Sequence, residues 1–166
     1  MKTKMTEPTK EGFYDDDGLW NSVRVINGRF YRERAEVIII NGDAIMIRTH
    51  IDGHYRFPGG STEPALTLME TAIKECEEEI HITPKNLQYY GYYIEDNDQI
   101  RDKYNYPYVG YCTHIFVGEF GEEYTGNVDA LDENPEMLQN CKWQCLGKVM
   151  KRLRPEHKDA IRNYIM

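Results

Sequence analysis

The chain has 166 residues, 40% of them apolar and 29% charged, and a net charge of −8. That length suits one domain with its own core and is short for two. The negative balance argues against a non-specific grip on nucleic-acid phosphates, which needs clustered Lys and Arg. No stretch approaches the roughly 18 apolar residues of a membrane span. The N-terminal "MKTKMTEPTKEG" lacks the apolar run of a secretory signal. The sequence reads as a soluble, cytoplasmic protein, with neither a membrane nor a nucleic acid among its expected partners.

Residues 1 to 18 are polar and carry the acidic run Asp15-Asp16-Asp17, which predicts a flexible arm ahead of a single domain over 19–166. Asn27-Gly28 stands between two β-prone runs, the strongest short hairpin signal. A second pair, Asn41-Gly42, separates the apolar runs Val37 to Ile40 and Ala44 to Ile47, predicted as buried strands. The arm and its hairpin offer a contact for a homodimer. "HYRFPGG" then leads into a helical segment. After it come "LQYYGYYIED", a polar loop, the alternating strand "YVGYCTHIFVGEF", a second polar loop, a short strand around "CKWQCL" and a closing helix from about Pro155. Strands, helix, strands, helix is the order of an α/β chain with a mixed sheet between helices. The four cysteines show no C-x2-C pairing and lie in apolar patterns, so they are expected to be buried free thiols.

The helix after "FPGG" holds most of the chemistry. Thr67 and Glu70 fit a capping box, so the helix is expected to begin at Leu68. Pro84 requires it to stop near Ile80 or His81. With Met69 at zero and 100° per residue, Ala72, Ile73, Cys76 and Ile80 make one apolar stripe. Glu75, Glu78 and Glu79 fall at about 240°, 180° and 280°, on one flank, while Glu70 and Glu77 lie on the other. Like charges so close repel each other. A solvated face is the ordinary explanation of such a cluster. Next to a glycine-rich turn, the alternative is a set of oxygen ligands for a hard divalent cation that bridges to phosphate.

The segment resembles the box that defines the Nudix hydrolases, G-x5-E-x7-R-E-U-x-E-E-x-G-U with U aliphatic. Gly60, Glu75, Glu78, Glu79 and Ile82 match it, Phe57-Pro58-Gly59 matches the usual lead-in, and Glu63 stands where many members carry an acid. Leu66, Lys74, Cys76 and His81 depart from it. Leu66 and Lys74 replace a glutamate and an arginine that commonly pair to brace the loop, so bracing must come from other contacts. His81 replaces a glycine and must tolerate its backbone, including a positive φ.

The resemblance implies a Nudix-like α/β/α sandwich with a mixed β-sheet over roughly residues 30 to 166. It also implies a pyrophosphohydrolase dependent on Mg2+ or Mn2+ that cleaves a nucleoside diphosphate linked to another moiety. By it, Glu75, Glu78 and Glu79 are both catalytic and metal-binding, with Gly60 or Gly59 as a backbone ligand. A further catalytic acid is expected in "DALDENPEMLQNCKW", among Asp132, Glu133 and Glu136, with Glu136 favoured by its distance ahead of Trp143. Glu119 is a second candidate.

Arg48 and Arg56 are candidates for binding substrate. Tyr89, Tyr90, Tyr92, Tyr93, Tyr104, Tyr106, Tyr108 and Tyr111 either stack on a base or cover the sheet. The basic residues from Lys148 to Arg154 read as a solvated end of the final helix. The competing function is a Nudix-fold module that binds a nucleotide ligand without hydrolysing it.

Overall fold

A computed structural model describes residues 13–14, 20–49, 55–62, 66–97, 108–124 and 141–165. The strands are β1 (Phe13–Tyr14), β2 (Trp20–Asn21), β3 (Val23–Ile26), β4 (Arg29–Asn41), β5 (Ala44–Thr49), β6 (Tyr55–Arg56), β7 (Gly59–Ser61), β8 (Ile82–Asp96), β9 (Gly110–Glu123) and β10 (Cys141–Cys145). The helices are α1 (Leu68–Ile80), α2 (Leu146–Val149), a 3-10 turn (Met150–Arg152) and α3 (Pro155–Ile165). In the expected arm, Phe13–Tyr14 pairs with Trp20–Asn21; residues 1–12 and 15–19, with the acidic run, lie outside the described residues.

The main sheet runs β10-β5-β4-β9-β8, with β3 and β7 also on β4 and β6 on β5. Asn27 and Gly28 both take positive φ at the β3–β4 turn, as a tight hairpin between twisted strands requires. Most pairings are antiparallel. β4 and β9, however, run parallel over Tyr31–Ile40 and Gly110–Glu119, so the sheet is mixed.

β4 is buried on both faces, and its alternation sorts the two cores. Ala35, Val37 and Ile39 pack with Ala72, Cys76 and Ile80 under α1. Ile38 and Ile40 pack with Val149, Leu153, Ala160 and Ile161 under the C-terminal helices. The architecture is the expected α/β/α sandwich.

Beyond their two-residue hairpin, β4 and β5 diverge, and the Tyr55–Ser61 segment enters between them. β6 pairs with β5 at Arg48↔Arg56, and β7 pairs with β4 at Ala35↔Gly60 and Glu36↔Gly59. The glycine-rich segment therefore reaches the middle of the sheet.

Several local expectations need correction. Met69, the reference point of the apolar stripe, is exposed, and Thr71 is buried instead. The Thr71 hydroxyl donates back to the Thr67 carbonyl, 2.9 Å away. Cys76 and Cys112 are buried, but Cys141 is only half-buried and Cys145 is exposed. Lys148 to Arg154 do not end the final helix. They lie in α2, the 3-10 turn and the link into α3, where Val149 and Leu153 pack on the sheet while Lys148, Lys151 and Arg152 are exposed, as expected of a solvated basic run.

Candidate functional site

Helix α1 begins and ends where its signals place it. Thr67 accepts from the Glu70 N–H while Glu70 accepts from the Thr67 N–H, a reciprocal capping box. His81 closes the helix at φ 55° and ψ 40°, with its N–H donating to the Cys76 carbonyl, so a histidine adopts the left-handed cap usually left to glycine. This frames the carboxylate flank against β7.

Gly59 and Gly60 serve by being small, at φ values any residue could adopt. A Cβ on Gly59 would sit 2.4 Å from the Ala35 carbonyl oxygen, so β7 lies tight against β4. A Cβ on Gly60 would meet the Glu75 carboxylate, with Oε1 at 2.4 Å. The Gly59 N–H donates to Glu79 Oε2 at 3.0 Å. The sequence-predicted residues Gly59, Gly60, Glu75 and Glu79 are therefore brought together.

Glu78 is next to them and pairs with Lys74 at 3.8 Å. Lys74 occupies the position of the missing arginine. Glu77, on the opposite flank as expected, accepts from the Thr83 hydroxyl at 2.8 Å.

Burial raises the Glu79 pKa above the ordinary carboxylate value. The Gly59 N–H and the charges of Arg48 and Arg34 pull it down, and Glu78 pushes it up. A desolvated carboxylate beside another acid is poorly compensated on its own. Arg48 comes from β5, and its Nε is buried with no hydrogen-bond partner among the described residues. Cys141, at the start of β10, reaches the same place. Burial lifts its thiol to about 11, with Arg48 lowering and Glu79 raising it.

Among the described residues, no three His, Cys, Asp or Glu side chains converge as a ready-made cation cage. The donor set nevertheless fits a hard divalent cation: carboxylate oxygens, a glycine edge that leaves them room, and a buried acid short of compensating charge.

The two predicted basic residues stand opposite each other in the β5–β6 pair and so share a face of the sheet. Arg48 acts on Glu79, and Arg56 also borders a cavity of about 300 Å³ on the α3 side. Sequence reading missed most of that cavity. Arg152 lies over the Tyr55 ring at 4.8 Å and Arg154 over the Tyr93 ring at 4.1 Å. Tyr93 donates to both oxygens of Glu36, at 3.1 and 3.2 Å, and His157 Nε2 sits 2.5 Å from Glu36 Oε1. Arg34 was missed too. It stands in the charged run Arg32-Glu33-Arg34-Ala35-Glu36 ahead of the apolar part of β4, where nothing in the sequence singles it out.

Glu119, the second candidate acid, pairs in register with Ile40, whose side chain lies under the C-terminal helices. Its carboxylate accepts from Asn86 at 2.6 Å, away from the α1 flank. Tyr93 and Tyr108 are buried, while Tyr89 and Tyr92 are exposed. Glu63, Asp132, Glu133, Glu136, Tyr104 and Tyr106 lie outside the described residues.

The family model described as "NUDIX domain" matches residues 30–164. YtkD of Bacillus subtilis (strain 168), a protein named an 8-oxo-dGTP diphosphatase, is 39% identical over 57 residues, 34% of this chain and 36% of that protein. Among solved structures, a NUDIX hydrolase from Nitrosomonas europaea aligns with TM-score 0.55 and 13% identity over 81% of this chain and 88% of its own. The NUDIX domain of Shewanella oneidensis NrtR, solved with ADP ribose, aligns with TM-score 0.55 and 11% identity over the same shares. The mutator protein MutT from Bacillus halodurans aligns with TM-score 0.52 and 19% identity over 80% of each chain. At these identities the solved structures establish the fold.

Proposed function

Since the chain belongs to the Nudix hydrolase family, we propose that it is a divalent-metal-dependent pyrophosphohydrolase. Its substrate would be a nucleoside diphosphate linked to another moiety: a nucleoside triphosphate, a nucleotide sugar, ADP-ribose or a similar compound. The observation that carries this reading is the grip of the Gly59–Gly60 edge on two acids of one helix flank, Glu79 by an N–H donor and Glu75 by the absence of a Cβ.

Glu75, Glu78 and Glu79, with the Gly60 carbonyl, would hold Mg2+ or Mn2+. When bound, such a cation spreads the charge on phosphoryl oxygens and lowers the pKa of coordinated water. The protein's own share is orientation and proton transfer. One carboxylate of the flank, or Glu136 from the segment that ends at Cys141, takes the proton of the attacking water.

A chain of net charge −8 needs local positive charge to hold a polyanion. Arg34 and Arg48 supply it beside Glu79. Arg152 and Arg154, stacked over Tyr55 and Tyr93 at the cavity on the α3 side with Arg56 at its border, suit the remaining part of the substrate. The name of the Bacillus subtilis relative supports a nucleoside triphosphate as the first compound to test.

The cytoplasmic location and the homodimer remain part of this proposal. The location is supported by four cysteines that form no disulfide and by the absence, among the described residues, of any helix long and apolar enough to cross a membrane.

A second reading is a ligand-binding module without hydrolysis. It is favoured by Leu66 and Lys74 in place of the bracing pair and by the absence of a preformed cage among the described residues. The deciding experiment incubates the protein with Mg2+ or Mn2+ and nucleoside triphosphates, ADP-ribose, dinucleoside polyphosphates and nucleotide sugars. Release of phosphate or pyrophosphate supports the hydrolase, and binding without release supports the module.

A further inference from the structure

The glutamate and arginine that brace the glycine-rich segment in the family pattern are Leu66 and Lys74 here, and Lys74 pairs with Glu78. The support lies on the opposite face of the sheet. His157 of α3 is 4% exposed, and its ring packs edge-on against Phe57 with centroids 4.8 Å apart. Its Nε2 bonds Glu36 Oε1 at 2.5 Å, and the Tyr93 hydroxyl is the second donor to the same carboxylate.

Phe57 is held from this side, and Pro58 and Gly59 are tied to β4 beside Glu36. Phe57 rests on His157, the Pro58 carbonyl accepts from the Val37 N–H at 2.8 Å, and Gly59 stands in register with Glu36. Gly59 then passes the constraint through the sheet, since its N–H holds Glu79. Without the His157 donor, the half-buried Glu36 carboxylate would lose its closest partner and be drawn toward solvent, loosening β4 at the point where β7 is attached.

We propose that His157 is a positioning residue: through Glu36 and Phe57 it fixes the Phe57–Gly59 segment, and with it Glu79, from the face of the sheet opposite α1. This inference rests on the proposed function. It assigns His157 no contact with the reacting atoms.

The test compares full-length wild type with His157→Phe, which keeps a ring against Phe57 but loses the donor, and His157→Gln, whose amide nitrogen can reach Glu36. Mn2+ affinity, read by electron paramagnetic resonance without substrate, is measured beside kcat and KM. Groups that orient ligands from behind typically change metal affinity or activity 10- to 100-fold. The expectation for His157→Phe is about tenfold weaker Mn2+ binding and a similar loss in kcat, with KM within about twofold and most of the loss recovered in His157→Gln.

Should His157→Phe lose its folded circular dichroism, Tyr93→Phe replaces it, with an expected loss of about threefold in both quantities. Wild-type Mn2+ affinity and kcat in the folded variants overturn the inference, and so does a change confined to KM, which would make His157 a substrate contact. Wild-type protein that neither binds Mn2+ nor hydrolyses any substrate overturns the proposed function and this inference with it, whereas active wild type with unaltered variants overturns the inference alone.

Discussion

A Cβ atom on Gly60 would lie 2.4 Å from Oε1 of Glu75, so the edge of β7 and the carboxylate of α1 share a space that only glycine leaves open. The atom in the way is the far end of a flexible side chain. Gly60→Ala is therefore expected to fold with stability within about 0.5 kcal/mol of wild type. By displacing Glu75 it should lower kcat about tenfold or more. Thermal melting and steady-state kinetics on the same preparation check both halves.

The neighbouring glycine should behave in the opposite way. At Gly59 the obstacle is backbone, the Ala35 carbonyl oxygen at 2.4 Å with the Glu36 Cα at 3.1 Å behind it. Neither can swing aside. Gly59→Ala is expected to destabilise the fold by about 1–3 kcal/mol, the usual cost of overpacking, as read from urea denaturation.

Glu79 fixes a pH dependence whose sign can be worked out. Its carboxyl is raised in the folded protein, first by burial, so the folded state binds its proton more tightly than the unfolded state does. The contribution to stability is then unfavourable above the folded pKa, fades as pH falls through it, and is gone below the unfolded value of about 4.3. Without divalent ions, Glu79→Gln should melt above wild type at pH 7–8. The difference should vanish near pH 3 and shrink when Mg2+ is added at neutral pH. A variant less stable than wild type at pH 8 would contradict this account of burial.

Arg154 lies over Tyr93 and pairs with Glu95 at 3.3 Å and Glu156 at 3.6 Å, at the rim of the cavity on the α3 side. If that cavity takes the part of the substrate remote from the chemistry, Arg154→Ala should raise KM about fivefold and leave kcat within twofold, the signature of lost uniform binding. Activity assays over a wide substrate range separate the two constants.

How far these features could be read from the sequence follows from their physics. The helix limits, the β3–β4 turn and the sorting of Glu75 and Glu79 from Glu77 depend on neighbours within a few residues, and the spacing of Thr67, Glu70 and Pro84 contains that information. Thr71 broke the apolar stripe because a hydroxyl bonded to the preceding turn can be buried at little cost.

The cavity was not legible. Glu36 and His157 are 121 positions apart and meet only because the sheet is covered on both faces. Arg152 and Arg154 look like ordinary surface charges until the 3-10 turn folds them over Tyr55 and Tyr93. The helical wheel placed the carboxylates on a common flank, but which of them the glycine edge would hold depended on how β7 inserts between β4 and β5.

Direct titration of the protein with Mn2+, followed by the loss of the free-ion resonance signal, tests most plainly whether the acidic flank is a cation site. Wild type should bind Mn2+, with affinity reduced about tenfold or more in both Glu75→Gln and Glu79→Gln. Equal binding by wild type and both variants would contradict the account at its base, because the acids held by the Gly59–Gly60 edge would then have no part in holding the ion.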